Sequence, residues 1–245
     1  MADTDFHILR FDELDSTSSY AVNNITSLPH NTVITADRQR AGRGRLGRTW
    51  VSDSPGNLYA SVVIRPERDY RTLPLVNFTQ FFSVIVADVL SGYGIGPVIK
   101  WPNDILVSGK KICGILSEVS FTGSVFNGIV VGIGLNIADN PSDKLDRVQE
   151  TTSLFDQCRK TVSRKEVLDR ILDRYLVSYG AFINDGFSSI YNSYMRYFPY
   201  LGEKITIINS NNNVIGIVRG ITDSGELRVE DGSGTTHTIT LGDMI

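Results

Sequence analysis

Cysteine, histidine and long apolar runs are scarce in this chain of 245 residues. The two cysteines, Cys113 and Cys158, are too few for a disulfide framework or a cysteine-based zinc site, which indicates a reducing compartment. No apolar run reaches the roughly 18 residues that a membrane-spanning helix needs, and the acidic first residues are unlike a signal peptide. We therefore expect a cytoplasmic protein that works away from membranes.

The signatures of several enzyme classes are also missing. The three histidines (His7, His30 and His237) stand apart from carboxylate or cysteine clusters in the sequence, and no H-E-x-x-H, G-x-S-x-G or P-loop pattern occurs. The net charge of −3 disfavours a general nucleic-acid coat, which usually has a basic domain. We therefore expect chemistry that uses neither a protein metal cage nor a Ser–His nucleophile.

Positive charge is concentrated in one segment, Arg40–Arg48, which reads Arg-Ala-Gly-Arg-Gly-Arg-Leu-Gly-Arg and is called the glycine–arginine loop below. The planar donor fork of arginine suits phosphate, and glycine lets the backbone close around an anion. The loop is therefore predicted to bind a small polyanion. Residues Gly42–Gly47 also fit the dinucleotide fingerprint G-x-G-x-x-G, but internal arginines and the lack of a following amphipathic helix disfavour it. A solvated basic loop is the remaining alternative.

Two further stretches place polar side chains beside predicted strands. In Lys-Trp-Pro-Asn-Asp the proline stops a ladder hydrogen bond, so Asn103 and Asp104 can face a ligand, although a turn with a core tryptophan explains the pattern equally well. Strand alternation puts Lys111 and Cys113 on one face, so Lys111 can point inward and stabilise charge on a phosphate. Edge-strand lysines that resist aggregation are the alternative.

A glycine-interrupted strand at Gly132–Asn136 is the last of these stretches. Glycines inside a strand permit the close approach of a ligand, and Asn136 would place an amide at the strand end. A β-bulge with a buried asparagine would explain the pattern almost as well.

Hydrophobic periodicity predicts strands and helices before residue 199 and only strands after it. Helices are predicted after the N-cap candidates Asp15–Ser18, over Leu73–Leu90, from a capping box at Ser163–Glu166, and over Ser188–Phe198. Predicted strands cover His7–Leu14, Thr32–Ala36, Leu58–Ile64, Val98–Trp101, Ile105–Val107, Lys111–Phe121, Val125–Ile137, Lys204–Ile208, Val214–Thr222, Glu226–Val229 and His237–Leu241, with turns at Asn211–Asn213, Asp223–Gly225 and Gly232–Gly234. We therefore predict an α+β fold with a mixed-sheet domain at residues 1–199 and a small SH3-like barrel at residues 200–245.

Taken in this order, the motifs resemble those of the biotin protein ligases. The chain has the family's G-R-G-R-x-G-R loop at Gly42–Arg48, its K-W-P-N-D motif at Lys100–Asp104, a lysine at the family's spacing at Lys111, and its G-x-G-x-N strand at Gly132–Asn136. Asp15-Ser16-Thr17 resembles the D-S-T that opens the biotin pocket, but Ser18 stands where members often have asparagine. The resemblance runs from about Phe11 to the C-terminus and implies the class II synthetase-like fold of biotin and lipoate ligases.

The resemblance also implies an activity. Such enzymes use ATP and Mg²⁺ to convert biotin to biotinyl-5′-AMP, hold no tightly bound prosthetic group, and pass biotin to a lysine of a biotin carboxyl carrier protein of an acyl-CoA carboxylase. Both nucleophiles are substrates, so the enzyme positions groups and stabilises charge. By this resemblance the catalytic residues are Lys111, Arg45 and Asp104, and Asp104 is also a metal ligand. The implied biotin-binding residues are Ser16, Thr17, Ser18, Gln39, Gly42, Arg43, Gly44, Arg45, Lys111 and Gly114, and the implied nucleotide-binding residues are Arg43, Arg45, Arg48, Trp50, Asn103, Lys111 and Asn136.

Two alternatives stay open. A lipoate ligase or octanoyltransferase would have the same fold, and octanoyltransferases use a cysteine nucleophile, a role for which Cys113 is available. A non-catalytic biotin or nucleotide sensor is the second alternative. The resemblance begins within about a dozen residues of Met1, so we expect no N-terminal helix-turn-helix and no DNA binding, whereas a homodimer through an exposed sheet edge is left open. The glycine–arginine loop is expected to be mobile without ligand and to order over the adenylate, which proteolysis with and without biotin plus ATP tests.

Overall fold

The computed structural model describes residues 6–139, 150–208 and 213–245, so Asn211 and Asn212 of the turn predicted at Asn211–Asn213 lie outside the described residues. The helices are α1 (Thr17–Asn24), α2 (Phe78–Ser91), α3 (Leu154–Cys158), α4 (Arg164–Asp185) and α5 (Tyr191–Arg196). The strands are β1 (His7–Leu14), β2 (Thr32–Gln39), β3 (Leu58–Ile64), β4 (Pro97–Lys100), β5 (Asp104–Val107), β6 (Lys110–Thr122), β7 (Val125–Leu135), β8 (Lys204–Ile208), β9 (Val214–Ile221), β10 (Leu227–Asp231), β11 (Thr236–Ile239) and β12 (Asp243–Met244).

The first seven strands form one mixed sheet. Its order is β1-β2-β3-β7-β6-β5-β4, in which β1 and β2 are parallel and the other neighbours antiparallel. The β5–β6 connection is the predicted two-residue turn, and its residues Ser108 and Gly109 have φ values of 51° and 77°, as a tight hairpin requires. A separate five-stranded sheet, in the order β11-β10-β9-β8-β12, follows. The predicted α+β class, with a small C-terminal β-domain, is confirmed.

Helices cover both faces of the seven-stranded sheet. Helix α1 packs on one face, where Ala21 and Ile25 meet Ile34, Val63 and Val130. Helices α2, α4 and α5 pack on the other face over the larger apolar core. Alternation along β7 serves both sides, because the odd-numbered residues 129–135 enter the larger core and the even-numbered ones face α1. Among the described residues, no helix is both long and apolar enough to cross a membrane.

The bounds of two predicted helices were wrong, and the predicted capping box does not form, although α4 begins at Arg164 as expected. Helix α2 begins at Phe78 rather than Leu73, because Leu73 precedes Pro74 and is extended (φ −86°, ψ 144°), and a 3₁₀ turn follows in which Val76 is 81% exposed. The Ser163 side chain makes no capping hydrogen bond at the start of α4, where Glu166 pairs instead with Arg170 at 2.9 Å. The predicted helix Ser188–Phe198 is divided into a 3₁₀ turn at Gly186–Ser189 and the short α5.

The predicted pairing of Lys111 and Cys113 on one face was also wrong. Ile105 pairs with Cys113 and the next residue, Leu106, pairs with Lys111, so Ile112 is an extra residue at a β-bulge. Ile112 and Cys113 both enter the larger core and are 0% exposed. Strand alternation therefore fails at the bulge, and Lys111 faces the same side as Gly114, whose added Cβ would lie 3.3 Å from the Lys111 Cε.

The turn between β9 and β10 fastens the C-terminal sheet to the rest of the molecule. The Gly225 carbonyl accepts hydrogen bonds from Trp101 Nε1 (3.2 Å) and Gln80 Nε2 (2.7 Å), and the neighbouring Ser224 carbonyl accepts one from Asn77 Nδ2 (2.8 Å). Gly225 has φ of +87°, and an added Cβ would lie 2.5 Å from Gln80 Oε1. Only glycine fits this joint without displacing its hydrogen-bond donors.

Replacing Gly225 by alanine is therefore expected to destabilise the protein by roughly 2–3 kcal/mol, because strain at positive φ is added to the loss of buried hydrogen bonds. Gly234→Ala is the matched control, since its φ is +84° but no atom lies within 4 Å of the added Cβ. The control should lose only about 1 kcal/mol. Thermal unfolding followed by circular dichroism measures both, and equal losses would contradict the role given to the joint.

Candidate functional site

A cavity of about 630 Å³ opens on the sheet face that carries α1. Strands β6 and β7, the start of α1, the glycine–arginine loop and strand β12 form its walls. The sequence-predicted site residues that line it are Ser16, Thr17, Ser18, Gln39, Arg43, Gly44, Arg45, Arg48, Trp50, Asn103, Asp104, Lys111, Gly114 and Asn136. Residues up to 120 positions apart in the chain thus meet at one place.

Glycines make the floor of the cavity. Gly114 on β6 pairs with Gly134 on β7, and Gly132 lies two residues before Gly134 on the same face. The indole of Trp50 lies against this floor, so that an added Cβ would be 2.9 Å from it at Gly114 and would collide with it at Gly134. A strand face without side chains allows a ligand, or an indole, to contact the backbone directly.

One end of the cavity is polar and uncharged. Gln39 Oε1 accepts from the Thr17 backbone N–H at 2.8 Å, and Gln39 Nε2 donates to Ser52 Oγ at 2.7 Å. The Ser61 hydroxyl donates to Thr17 Oγ1 at 2.8 Å and lies 3.1 Å from Ser18 Oγ. This network fixes the hydroxyl and amide groups of α1 and β2, and such groups recognise a neutral polar ligand end.

The other end is cationic. Lys111 Nζ lies 2.7 Å from Asp104 Oδ1 and 5.4 Å from the centroid of the Trp50 ring. Arg45 and Arg48 both pair with Asp243 on β12, whereas Arg43 lies nearer α1, where it pairs with Glu118 of β6 and donates to Ser19 Oγ at 3.3 Å. The arginines of the loop therefore have carboxylate partners on the sheets. These partners offset the repulsion among the arginines, which was one reason to expect a mobile loop. The mobility itself stays a prediction.

Burial weakens the protonated state of two cations in this cluster. It lowers the pKa of the Arg45 guanidinium, and the charges of Asp243 and Asp104 oppose that effect. It also lowers the pKa of the Lys100 ammonium, against the charge of Asp104. Cations in a partly desolvated wall attract an anionic ligand more strongly than the same cations in water. The cavity thus suits a molecule with one neutral polar end and one anionic end.

Two uncharged polar atoms in the cavity wall have neither a hydrogen-bond partner nor an ion-pair partner within the described segments. Asn136 is 0% exposed and donates Nδ2 to the Thr152 carbonyl at 3.0 Å, which leaves its Oδ1 unpaired. The indole Nε1 of Trp50 is likewise buried and unpaired. Buried polar atoms without partners are uncommon in folded proteins, and these two can pair with a ligand.

Two expected residues lie elsewhere. Gly42 is behind the cavity wall rather than in it, where its carbonyl accepts from the Trp50 N–H at 2.9 Å and an added Cβ would collide with the Trp50 carbonyl. Cys113 is in the apolar core on the opposite sheet face, and burial raises the pKa of its thiol far above the ordinary value. The cysteine is thus neither accessible nor activated as a nucleophile.

Sequence reasoning missed several residues of the site. Ser52, Ser61 and Glu118 orient residues that were predicted, and Lys100 and Asp243 line the cavity themselves. Of these residues, only Lys100 could have been found from the sequence, because it belongs to the same motif as Asn103 and Asp104. Asp243 lies about 200 residues from its partners, and nothing local in the sequence marks it.

Comparison with known proteins gives a consistent result. Residues 11–136 match the family model described as the biotin/lipoate A/B protein ligase family, and residues 200–245 match the model of the biotin protein ligase C-terminal domain. The chain is 32% identical over 90% of its length to the biotin–[acetyl-CoA-carboxylase] ligase of Paracoccus denitrificans, covering 92% of it. It is also 32% identical over 93% of its length to the bifunctional ligase/repressor BirA of Bacillus subtilis, covering 70% of that protein.

A solved structure is similar over nearly the whole chain. The biotin protein ligase of Aquifex aeolicus, in complex with biotin and ATP, superposes with a TM-score of 0.78 at 28% identity and covers 98% of this chain and 97% of its own.

Proposed function

Because this chain belongs to the biotin/lipoate A/B protein ligase family, we propose that it activates biotin with ATP to biotinyl-5′-AMP and transfers the biotinyl group to a lysine of a biotin carboxyl carrier protein. The observation that carries this proposal is the cavity, in which a group of uncharged polar side chains and five cations line one glycine floor. The cations are Arg43, Arg45, Arg48, Lys100 and Lys111.

The uncharged end suits the ureido ring of biotin. The Ser16, Thr17 and Ser18 hydroxyls and the Gln39 amide line that end. They are held in place before a ligand arrives, because Thr17 donates to Gln39, Ser18 bonds to Ser61, and Ser16 accepts from the Ser19 backbone N–H. With Ser18 in place of the family's frequent asparagine, a hydroxyl rather than an amide is offered to the ring. The biotin chain then runs along the glycine floor toward Lys111, whose ammonium pairs with the carboxylate.

The cationic end suits the nucleotide. In the first step a carboxylate oxygen of biotin attacks the α-phosphorus of ATP, the bond to the bridging oxygen breaks, and pyrophosphate leaves. Lys111 and Arg45 stabilise the negative charge that develops on the α-phosphate, and Arg43 and Arg48 bind the outer phosphates. Trp50 offers a ring face to the base, and the unpaired Asn136 Oδ1 accepts a hydrogen bond from the nucleoside.

Mg²⁺ would bind in this arrangement together with the phosphates of the nucleotide. Mg²⁺ usually keeps several waters and binds one or two carboxylates together with substrate phosphates, so the absence of a cluster of three metal-ligating side chains among the described residues does not conflict with it. Asp104 is the carboxylate that would hold it, once Lys111 turns from Asp104 to the phosphate. The ion would supply neutralising charge to the phosphates.

In the second step the nucleophile is the amine of the carrier lysine. It attacks the carbonyl carbon of the mixed anhydride, the carbon–oxygen bond to phosphate breaks, AMP leaves, and the nitrogen gives up a proton to water. Asp104, with a side chain 16% exposed at the cavity, would pair with the incoming lysine side chain and orient it.

We also propose the division into domains at residues 1–199 and 200–245, and an acyl-CoA carboxylase subunit as the source of the carrier. A side-by-side homodimer stays a prediction.

The first alternative, an octanoyltransferase with a cysteine nucleophile, is disfavoured by the place of Cys113 in the apolar core. We expect Cys113→Ala to retain protein biotinylation within about twofold of the unmodified protein, because the thiol takes no part in the chemistry. Purified protein, ATP, Mg²⁺, biotin and a biotin-carrier fragment are mixed, and labelled carrier is read with streptavidin. Loss of labelling by folded Cys113→Ala would favour the cysteine mechanism.

The same assay tests the proposed function as a whole. Omission of ATP, of biotin or of the carrier fragment should each abolish labelling, and replacement of the target lysine of the carrier by arginine should do the same. Replacing biotin by lipoate or octanoate should give no transfer. Folded protein that binds biotin and ATP but labels no carrier would favour the sensor alternative.

A further inference from the structure

We propose that Asp243, the first residue of the last strand, is a positioning residue for the nucleotide site. It holds the glycine–arginine loop against the cavity and gives up its two arginines to the phosphates when the nucleotide binds. The proposal rests on the proposed function, since it assumes that Arg45 and Arg48 bind a polyphosphate.

The geometry joins the loop to the C-terminal sheet at one carboxylate. Arg45 Nη1 lies 3.2 Å from Asp243 Oδ1, and Arg45 Nη2 donates to the Gly242 carbonyl at 3.2 Å. Arg48 Nη2 lies 2.6 Å from Asp243 Oδ2. Both carboxylate oxygens are therefore used, each by a different arginine of the same loop.

Partial burial strengthens the ion pair between Arg45 and Asp243. The side chains of Arg45 and Asp243 are 17% and 12% exposed, so their charges are partly withdrawn from water and need each other. Arg48 is 63% exposed and contributes less. The other hydrogen-bond acceptors of Arg45, Asn103 Oδ1 at 3.0 Å and the Gly242 carbonyl at 3.2 Å, carry no net charge. Asp243 is thus the main counterion of a partly buried guanidinium.

Strand β12 presents Asp243 from a fixed framework. Asp243 pairs with Ile208 of β8, and Ile245 exchanges two backbone hydrogen bonds with Thr206 at 2.8 and 3.1 Å. The same sheet is fastened at its Gly225 turn to Trp101 and Gln80. A carboxylate on such a framework can hold a loop that has little regular structure of its own.

Phosphate and Asp243 require the same donors. A guanidinium has five N–H groups in one plane, and in Arg45 they already serve Asp243, the Gly242 carbonyl and Asn103. Three of the five N–H groups of Arg45 are thus engaged, with both donors of Nη1 among them, and Arg48 contacts Asp243 through Nη2. A triphosphate that takes the Nη1 donors of Arg45 and the Nη2 donor of Arg48 replaces Asp243 as their partner. The measured free energy of nucleotide binding is then the difference between the free energies of these two pairings. Removal of the Asp243 carboxylate should therefore raise the affinity for the nucleotide.

The test is Asp243→Asn, which keeps the shape of the side chain and removes its charge. Binding of α,β-methylene-ATP, measured by calorimetry, should be about fivefold tighter than in the unmodified protein, the size of effect that a partly exposed ion pair supports. In the biotinylation assay KM for ATP should fall by a similar factor while kcat stays within about twofold. Tryptic cleavage after Arg43–Arg48 should be faster without nucleotide and equal to that of the unmodified protein with it.

Glu230→Gln is the control, because it also removes one carboxylate charge from the C-terminal sheet. Glu230 pairs with Arg219 at 2.8 Å, away from the cavity, and its loss should change neither nucleotide affinity nor loop cleavage. Asp243→Glu retains the charge and should restore KM toward the original value. Unchanged or weaker binding of the analogue by folded Asp243→Asn would overturn the proposal.

A measurement on the unmodified protein covers the case in which Asp243→Asn does not fold. Amide hydrogen exchange in residues 243–245 should become faster when α,β-methylene-ATP is added, because β12 loses its contacts with the loop. Slower or unchanged hydrogen exchange would contradict the proposal that Arg45 and Arg48 leave Asp243 for the phosphates. Failure of the proposed function is seen separately, as a lack of carrier labelling by unmodified protein that still binds the analogue.

Discussion

Replacing Lys111 by alanine is expected to lower kcat/KM for carrier biotinylation by about a hundredfold or more, because a charge-assisted bond is lost that strengthens as charge develops on the α-phosphate. Lys111 is well placed for this role, since its ammonium lies in the cavity beside Asp104 and over Trp50. The loss should fall mainly on kcat of the adenylation step, measured as pyrophosphate release without carrier.

The neighbouring lysine provides a matched control. Lys110 lies next to Lys111 but is 48% exposed and pairs on the surface with Glu150. Lys110→Ala should therefore leave both adenylation and transfer within about twofold of the unmodified protein, as expected for an exposed ion pair. Adenylation at the normal rate by Lys111→Ala would show that the ammonium does not stabilise the transition state.

The second large effect is expected from Gly134→Ala, which adds a methyl group to the floor of the cavity. Its Cβ would collide with the Trp50 indole, so the ring has to move into the space that the biotin chain would use. One added methyl group in a fitted pocket changes affinity by about 10- to 200-fold, so KM for biotin should rise within that range. The rest of the fold should be intact, because a side chain and not the backbone gives way.

Gly180→Ala is the control for this substitution. Gly180 lies in α4 with no atom within 4 Å of an added Cβ, and alanine favours a helix over glycine. It should leave biotin affinity unchanged and stabilise the protein slightly. Isothermal titration with biotin separates the two variants. If Gly134→Ala bound biotin with the original affinity, the glycine floor could not be the path of the biotin chain.

The parts of the fold that depend on local pattern could be predicted from sequence. Strands at His7–Leu14, Leu58–Ile64 and Lys204–Ile208 have the predicted bounds. The last two are apolar or β-branched runs ended by polar or turn residues, and the first is ended by the N-cap of α1 at Ser16. The start of α2 was missed because Pro74 imposes an extended conformation on Leu73, which outweighs helical periodicity.

The arrangement of the site was less accessible from sequence. The motifs identified which residues would meet, and all of them but Gly42 line one cavity. The bulge at Ile112 could not be predicted from alternation, because an extra residue depends on how β5 and β6 twist together. The role of Asp243 depends on how the C-terminal sheet docks, and this follows from tertiary hydrogen bonds at Gly225.

The position of Trp50 against the glycine floor has a spectroscopic consequence. The chain contains two tryptophans, and the other, Trp101, is 3% exposed and donates its Nε1 to the Gly225 carbonyl in the fastened joint. Indole emission responds to polarity and hydrogen bonding. Both indoles border the cavity, but Trp50 Nε1 is unpaired whereas Trp101 Nε1 is already hydrogen-bonded, so ligand binding is expected to change the emission of Trp50 more than that of Trp101. The molecule thus carries its own optical reporter of cavity occupancy, and no attached dye is needed to follow ligand entry in real time.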